Sequence, residues 1–354
     1  MILTIIVAFF SIILLLVIHE FGHFFVAKIF KVKVEEFGVF LPPRLLARKI
    51  GETVYSLNLI PFGAFVKVLG EEGGIEDVHS FSEKPIWQRA LIVAAGVISF
   101  WLVAIIILTI IAGVWGMPVL TEDDQDLIDP KIQIGRINLD SPAYQAGIRV
   151  GDTIVGFEKI AQFQEFIEQN KGQEIVLLIE RRNQVFETEP IVPRVSPPPG
   201  QGALGVGLIR VALQPYPWHK APLQGVLATG RLAQGIVSGW AMGINHILGI
   251  EKIPEDIEME VVGPVGIVSL LGQYFETGLN DFLYFIALIT IALALINSFP
   301  IPALDGGKLL FLLIEKIKGR SINPKIEQKI TAGFFIVLIF LMALVTIRDI
   351  VNLF

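Results

Sequence analysis

Two histidines and a glutamate, His19, Glu20 and His23, lie in an otherwise apolar run, LLLVIHEFGHFFVAKIF. On a helix, residues four apart share one face about one turn from each other, so both imidazoles can reach a single metal ion. Glu20 lies on the adjacent face, where its carboxylate can take a proton from water. Zinc held in this way makes hydroxide available at neutral pH. The spacing therefore predicts a zinc site with Glu20 as the catalytic base.

The alternative for this trio is a pair of structural histidines whose neighbours satisfy them with hydrogen bonds. Two observations favour the metal site. Ionisable side chains are costly inside a bilayer, and those that occur there are functional as a rule. The chain also has no cysteine, so any metal has to be held by histidines and carboxylates.

A catalytic zinc site needs a third protein ligand and keeps its fourth position for water. The other histidines of the chain are His79, His219 and His246. A carboxylate is the other option, and Asp305, in the stretch NSFPIPALDGG, is the only acid between Asp281 and Glu315. Its alternative role is that of an ordinary turn aspartate before two glycines. The choice depends on whether Asp305 lies at the same membrane depth as the histidines.

The composition indicates a membrane protein. Of the 354 residues, 53% are hydrophobic and 18% are charged, against about 25% charged residues in soluble domains. The mean hydropathy is +0.66. This length leaves room for a membrane core and one modest soluble domain. The net charge of −6 and the lack of a basic tract give no indication of nucleic-acid binding.

Four segments are long enough to cross a bilayer, which takes about 20 helical residues. They are Ile2–Phe30, Ile86–Trp115, Asp281–Phe299 and Ile330–Val351. Basic residues follow the first and third segments, and acids follow the second, so the positive-inside rule places both termini outside. His19 then lies about 25 Å along its helix, near the cytoplasmic side. Asp305 follows the inward-running third segment and lies near the same side, which favours it as the third ligand.

A fifth apolar stretch, Ala221–Ile250, is interrupted by polar residues. A crossing there would put the basic stretch 308–329 outside, so an amphipathic helix at the membrane interface is the better interpretation. The cytoplasmic stretch Thr53–Leu69 has two alternating apolar runs separated by Pro61 and Gly63. This pattern is typical of a hairpin, and the stretch is apolar enough to dip into the membrane.

A soluble module is predicted between the second and third membrane segments. Residues Ile132–Ile137 alternate like a strand, and SPAYQAG followed by IRVGDTIVGF indicates a turn, a short helix and another strand. The stretch GQEIVLLIERR favours a further strand because it is rich in β-branched residues. The proline-rich tract Pro193–Gly202 is then typical of a linker at the edge of the domain.

Taken with these features, the chain resembles the site-2 protease family of intramembrane zinc metalloproteases, and especially its bacterial members that carry a PDZ domain. The stretch HEFGHFFVAKIF is similar to the family's HExxH helix, and NSFPIPALDGG is similar to its second signature. The resemblance implies His19, His23 and Asp305 as zinc ligands and Glu20 as the base. It covers nearly the whole chain.

Other stretches extend the resemblance to substrate binding. Asn297 in the second signature is implied in binding or polarising the substrate backbone. IPFGAFVKVLGE resembles the family's re-entrant hairpin, which implies substrate contacts from Gly63, Ala64, Phe65 and Val66. DSPAYQAGIRVGDTIVGF resembles the core of the PDZ domain, and GPVGI resembles the element before the third membrane helix.

The implied fold class is a polytopic α-helical membrane protein with about four transmembrane helices, a membrane re-entrant β-hairpin and one inserted α+β PDZ domain. The predicted organisation has a first membrane half at 1–117 with the re-entrant hairpin at 53–69, and an extracytoplasmic PDZ domain at 118–196. A linker with the amphipathic helix follows at 197–275, and a second membrane half at 276–354. The implied location is the inner or plasma membrane of a bacterium.

The implied activity is zinc-dependent hydrolysis of peptide bonds inside the transmembrane segments of single-pass proteins, such as anti-sigma factors or remnant signal peptides. The partners would be these substrates, the lipid bilayer and a peptide or protein bound by the PDZ domain. That domain would either bind a carboxylate or exclude substrates with bulky ectodomains. Two other functions stay open: a catalytically silent membrane PDZ scaffold, and a transporter that uses histidine and aspartate as a proton or metal relay.

Two regions depart from the family pattern. The second membrane helix usually carries Gly-Pro followed shortly by an asparagine, whereas AAGVISFW has Val97 and Phe100. The hairpin usually has GGYVK, and this chain has GAFVK. A role for the missing proline and asparagine in substrate access or helix packing is therefore not carried over to this chain.

Overall fold

The computed structural model describes residues 2–71, 75, 77–120, 128–138, 140–181, 184–198, 200–250 and 262–353. The helices within these ranges are α1 (Ile2–Ile29), α2 (Ile86–Val114), α3 (Pro142–Gln145), α4 (Ile160–Gln169), α5 (Ala221–Ile247), α6 (Pro264–Thr277), α7 (Leu279–Ser298), α8 (Asp305–Lys318) and α9 (Pro324–Leu353). The strands are β1 (Val34–Ile50), β2 (Thr53–Val68), β3 (Met117–Leu120), β4 (Ile128–Ile137), β5 (Thr153–Ile154), β6 (Leu178–Arg181), β7 (Gln184–Glu187) and β8 (Val206–Gln214).

The chain divides into two compact units. The first, called the membrane unit, comprises Met1–Leu108, Val226–Ile236 and Val261–Phe354. The second, called the sheet unit, comprises Thr109–Gly225 and Val237–Glu260. The predicted zinc ligands and the predicted base all belong to the membrane unit.

Four helices of the described chain are long and apolar enough to cross a membrane. Their candidate spans are Leu3–Ile29 in α1, Ile86–Val114 in α2, Leu279–Ser298 in α7 and Pro324–Val351 in α9. This confirms the prediction of about four spanning helices. A helix satisfies all of its interior backbone groups within one segment, which is what a hydrocarbon environment requires. Large apolar side chains such as Ile336 and Phe340 on α9 are exposed, as contact with lipid demands.

The core of the membrane unit packs α1, α2, α6 and α7 together. Leu15, Phe100 and Leu271 are buried in one apolar cluster that draws on all four helices. A second cluster joins α1 and α2 to the strands and to α8, and it includes Val68 and Leu312. The second cluster ties α1, which carries the histidines, to α8, which carries Asp305.

Helix α5 forms where the amphipathic helix was predicted. It is not among the candidate spans found in the described part of the chain. Its position at the membrane interface stays a prediction.

The strand pair β1–β2 corrects the predicted hairpin. Its turn lies at residues 51–52, so the stretch 53–69 contains one long bent strand and not two paired ones. Phe37 pairs with both Tyr55 and Val66, which places the first half of β1 between the two apolar runs of β2. The prediction was wrong because it ignored β1. A strand that lies between the two runs satisfies backbone groups on both of its edges, whereas a two-stranded hairpin leaves more of them unpaired.

The last part of β2 lies at the edge of this strand pair. Residues 64–68, called here the edge segment, pair with residues 34–39 on one side. No strand in the described ranges pairs with their other side. The edge segment therefore presents unpaired backbone groups to its surroundings.

The sheet unit contains a six-stranded sheet with the strand order β3-β8-β4-β5-β6-β7, in which all neighbours are antiparallel. Its apolar core includes Ile132, Ile134, Phe163 and Ile179, all nearly inaccessible to solvent. Ser141 caps the short helix α3 by accepting a hydrogen bond from the backbone N–H of Tyr144. The strand at 132–137 and the short helix in SPAYQAG thus lie where the sequence predicts them.

The predicted end of this domain at residue 196 is wrong. Strand β8 comes after that boundary, yet it lies between β3 and β4 in the sheet. The proline-rich tract is therefore a connection within the sheet unit and not its edge. Proline has no backbone N–H for sheet pairing, so it marks a loop, but composition alone does not distinguish an internal loop from a linker.

Candidate metal centre

Helix α1 places both histidines on one face. The ring centroids of His19 and His23 lie 4.8 Å apart. Nδ1 of His23 lies 2.8 Å from the carbonyl oxygen of Ile92 on α2. When Nδ1 carries the proton, it donates a hydrogen bond to this oxygen. Nε2 then has a free lone pair that can bind a metal ion. A histidine whose other ring nitrogen is held in this way is oriented for metal binding.

Helix α8 begins at Asp305, directly after a tight turn from α7. In that turn the N–H of Ile301 donates to the carbonyl oxygen of Phe299 at 2.7 Å. Gly306 and Gly307 follow Asp305, and a Cβ on either one would overlap a backbone carbonyl of the turn. The two glycines of the LDGG sequence therefore allow the turn to fold back against the start of α8, which fixes the position of the aspartate.

The three predicted ligands meet at one point. Oδ2 of Asp305 lies 3.3 Å from Nε2 of His19 and 3.4 Å from Nε2 of His23. The two Nε2 atoms lie 3.3 Å from each other. The three atoms thus form a nearly equilateral triangle, and their side chains are buried or half-buried.

These atoms fit a zinc ion. In a tetrahedral zinc site with bonds of about 2.0–2.1 Å, neighbouring ligand atoms lie about 3.3–3.4 Å apart. Oδ2 of Asp305 is also buried and has no hydrogen bond from the described residues, in spite of the two imidazoles beside it. A buried carboxylate oxygen without a hydrogen bond needs another source of positive charge, and a metal ion supplies it.

Helix α2 forms the wall behind the histidines. A Cβ on Gly96 would overlap Nε2 of His23 and lie 2.6 Å from Cε1 of His19. Phe100 stacks on the His19 ring with centroids 4.6 Å apart and an angle of 22° between the planes. Val97 is buried in the core cluster beside it. The two departures from the family pattern on this helix are therefore apolar packing residues, one of them in direct contact with a predicted ligand.

A cavity of about 890 Å³ opens beside two of the three predicted ligands. Glu20, His23 and Asp305 line it, together with Phe65 and Val66 of the edge segment. Its wall also carries charged side chains from several elements: Glu71, Glu83, Arg89, Lys308, Glu315 and Glu327. The cavity thus brings the predicted base, two predicted ligands and an unpaired strand edge to one space.

Some predicted residues lie apart from this space. The Asn297 side chain donates to the carbonyl oxygen of Leu293 on its own helix at 2.9 Å, and Asn297 is not among the residues that line the cavity. Gly63 and Ala64 do not line it either. Gly63 has a φ of +71°, so it serves the bend of β2.

Sequence reasoning missed four residues near the site: Gly96, Phe100, Glu71 and Lys308. The spacing of Lys308, one helical turn after Asp305, was a usable signal. The other three lie in stretches that the resemblance singles out, AAGVISFW and IPFGAFVKVLGE, but neither stretch indicates that tertiary packing brings these residues to the site.

The model of peptidase family M50 matches residues 7–342 of the chain. The chain belongs to this family. It is the site-2 protease family, as the sequence resemblance indicated. Because the match spans nearly the whole chain, it includes both the HExxH helix and the LDGG turn.

Relatives of this M50 protein cover it almost from end to end. An inferred zinc metalloprotease of Clostridium perfringens is 33% identical over 342 residues, which is 95% of each chain. A second one, from Clostridium acetobutylicum, is 31% identical over 364 aligned positions, 98% of this chain and 97% of the relative. The zinc metalloprotease RasP of Oceanobacillus iheyensis is 26% identical over 431 aligned positions, 95% of this chain and 96% of the relative.

These findings confirm the predicted family, enzyme class and cofactor. The M50 protein is a zinc metalloprotease, and the four apolar helices of its described residues make it an integral membrane protein. The two other functions considered above, a silent scaffold and a transporter, gain no support.

Proposed function

We propose that this M50 protein is an intramembrane endopeptidase that cuts the transmembrane segments of single-pass membrane proteins. Anti-sigma factors and remnant signal peptides are the substrate types that the resemblance suggests. The observation that carries the proposal is the position of the ligand triangle: two of its corners lie on α1, a helix apolar enough to span a bilayer. Ionisable side chains inside a membrane helix are costly and are functional as a rule, so a metal centre on this helix favours substrates that lie in the membrane.

In this proposal His19, His23 and Asp305 hold the zinc ion. The triangle of their ligand atoms, with sides of 3.3–3.4 Å, supports the assignment. When bound there, zinc would supply Lewis acidity, which would polarise a carbonyl group and make water more acidic. These three residues would hold the ion and leave it open to the reactants.

Glu20 is the proposed general base. Its side chain lines the cavity beside His23 and Asp305. The carboxylate takes a proton from the attacking water, and it then delivers that proton to the amide nitrogen of the leaving chain. The new carboxyl group and the new amine are the two ends of the cut substrate.

The edge segment is the proposed docking site of the substrate. A helical substrate hides its carbonyl groups in its own hydrogen bonds, so it has to unwind before hydrolysis. The unwound stretch can pair with the free side of residues 64–68 as an added strand. Phe65 and Val66 line the same cavity as Glu20, which supports this arrangement. We also propose that β1 and β2 enter the membrane.

The sheet unit is proposed to be a PDZ domain that restricts access to substrates without bulky ectodomains. Its antiparallel sheet and the two short helices α3 and α4 support this proposal. Strand β8 is tied to the turn before α4 by a hydrogen bond from Nε of Arg210 to the carbonyl oxygen of Glu158, 3.0 Å long. A bound peptide carboxylate is the alternative use of this domain, and substrates with ectodomains of graded size would distinguish the two.

The decisive test compares the wild type with Glu20→Gln, which keeps the size of the side chain and removes the base. Both proteins would be purified in detergent and assayed for bound zinc and for cleavage of a single-pass model substrate. We expect zinc in both and a loss of cleavage of about 10²- to 10⁴-fold in the variant, the usual contribution of a general base. Glu83→Gln is the matched control, because Glu83 lines the same cavity and should be dispensable.

Two outcomes would contradict the proposal. If the wild type contains no zinc after metal-replete purification, the ligand assignment is wrong. If the wild type binds zinc and Glu20→Gln cleaves as fast as Glu83→Gln, Glu20 is not the base.

A further inference from the structure

An ion pair joins two walls of the cavity. The ammonium group of Lys308 on α8 donates to a carboxylate oxygen of Glu71, which follows the edge segment along the chain. We propose that Lys308 and Glu71 are positioning residues that fix which peptide bond of the substrate is cut. This inference rests on the proposed function, because it takes the edge segment as the substrate's docking strand.

One end of this ion pair is tied to the metal centre. Lys308 and Asp305 lie one turn apart on α8 and both line the cavity. The start of α8 is held against the preceding turn, as described above for the two glycines that follow Asp305. The backbone of Lys308 is therefore held at a fixed position relative to Asp305, and the ion pair with Glu71 holds its ammonium group.

The other end is tied to the edge segment by a rigid turn. The N–H of Glu71 donates to the carbonyl oxygen of Val68 at 3.3 Å, which closes the turn directly after β2. Gly70 in this turn has a φ of +71°, and a Cβ there would overlap Oγ of Ser80. Phe81 N–H donates to the carbonyl oxygen of Leu69 at 2.8 Å and holds the turn from outside. The position of the Glu71 carboxylate therefore helps to fix the position of residues 64–68.

The charges around Lys308 favour this pairing. Burial alone would lower the pKa of Lys308, but the carboxylates of Glu71, Asp305 and Glu20 raise it above its ordinary value. The group therefore keeps its positive charge at neutral pH. Among these carboxylates, Glu71 is the one that accepts a hydrogen bond from the ammonium group.

The consequence concerns register. A strand added to the edge segment can slip along it, and a slip of one residue turns every side chain to the opposite face. A slip of two residues leaves each side chain on the same face of the sheet, so it is the register error that the substrate can make most easily. When the ion pair holds the edge segment at a fixed distance from the metal centre, one peptide bond lies at the zinc. When the ion pair is absent, bonds two residues away can reach it as well.

The experiment maps the cut sites by mass spectrometry of the products from one single-pass substrate in detergent. Lys308→Met and Glu71→Gln each remove the ion pair and keep a side chain of similar size. We expect each to raise the share of cuts two residues from the main site by about two- to fivefold, the range that a partly exposed ion pair supports. Zinc content should stay at the wild-type level. Lys308→Arg keeps the charge and should restore the wild-type pattern.

A second ion pair on the same helix supplies the matched control. Glu315 on α8 accepts two hydrogen bonds from Arg89 on α2, 2.6 and 3.0 Å long. Arg89→Met removes a contact of α8 that does not involve the edge segment. We expect it to lower the thermal stability of the protein and to leave the cut sites unchanged.

The outcomes separate the two proposals. A wild type that binds zinc but cuts no transmembrane substrate refutes the proposed function and this inference with it. A wild type that cuts, with unchanged sites in Lys308→Met and Glu71→Gln, refutes the positioning role alone. The same holds if Arg89→Met shifts the sites equally, since general loosening of α8 would then be the cause. Complete loss of cleavage in both variants with zinc retained would assign them to the chemistry and overturn the inference.

Discussion

At the scale of single residues, the metal centre depends on atoms that are not ligands. The His23 ring is held by the carbonyl oxygen of Ile92, and the His19 ring lies against Phe100. Gly96 provides the space in which both rings meet. All three of these residues are on α2. The proposed ligand atoms are therefore brought to distances of 3.3–3.4 Å by a neighbouring helix as much as by the HExxH spacing.

Gly96→Ala should disrupt zinc binding. Its Cβ would overlap Nε2 of His23 and force the ring out of the triangle. We expect zinc affinity to fall by about 10- to 100-fold, the effect typical of changes to groups that orient metal ligands. Competition with a chelator and elemental analysis would measure it. Gly333→Ala is the control, because a Cβ on Gly333 meets open space on α9. Equal zinc affinity in the two variants would mean that α2 moves to make room.

At the scale of elements, α9 caps α6. The Asp349 carboxylate, which is almost fully buried, accepts hydrogen bonds from the N–H groups of Gly263 at 3.1 Å and Gly266 at 2.8 Å. These donors belong to the first turn of α6, where no helix partner exists for them. The negative charge also suits the positive end of the helix dipole. A side chain from the end of the chain thus completes a helix that packs in the core of the membrane unit.

Asp349→Ala should therefore destabilise the membrane unit. The loss leaves two backbone N–H groups without a partner, and we expect a cost of about 1–3 kcal/mol. Thermal unfolding in detergent, followed by circular dichroism, would report it as a lower midpoint. The neighbouring Arg348 has an exposed side chain, so Arg348→Ala should change the midpoint little. If both variants unfold at the wild-type temperature, water or detergent satisfies the α6 donors instead.

At the scale of the whole molecule, the chain has two units with separate apolar cores, and the ligand triangle lies in the membrane unit alone. Phe163 is 1% exposed in the core of the sheet unit. Phe163→Ala should cost that unit about 3–5 kcal/mol, as is usual when a large aromatic side chain is removed from a core.

The Phe163→Ala variant should become sensitive to limited proteolysis within the sheet unit and should keep the wild-type zinc content. Val185→Ala, which changes an exposed side chain of the same unit, is the control and should behave as the wild type does. Loss of zinc from Phe163→Ala would show that the two units fold as one.

The predicted orientation in the membrane can be tested with single cysteines, since the chain has none of its own. Glu168→Cys lies in the sheet unit and Lys318→Cys at the end of α8, and both positions are exposed. A membrane-impermeant maleimide applied to cells with a permeable outer layer should label the first cysteine only. Labelling of Lys318→Cys should require lysis. The reverse pattern would contradict the orientation derived from the basic loops.

The sequence alone was sufficient for the family, the zinc, the four spanning helices and the candidate ligands His19, His23 and Asp305. Their signals are local: a helical spacing of four, an acid in an apolar context and long hydrophobic runs. Such local signals can be recognised without the tertiary structure because helix periodicity and the cost of burying charge act on each segment separately. The two ends of the chain could be related by their depth because the membrane supplies a common axis for both.

Only the tertiary structure decided how the segments pair. It placed β1 between the two runs of β2, added β8 to the interior of the sheet, and brought Gly96, Lys308 and Glu71 to the metal centre. Strand partners and side-chain neighbours far apart in the chain are chosen by which arrangement satisfies the most backbone groups and fills the core. The most stable arrangement depends on all segments together, so no single stretch of sequence predicts it.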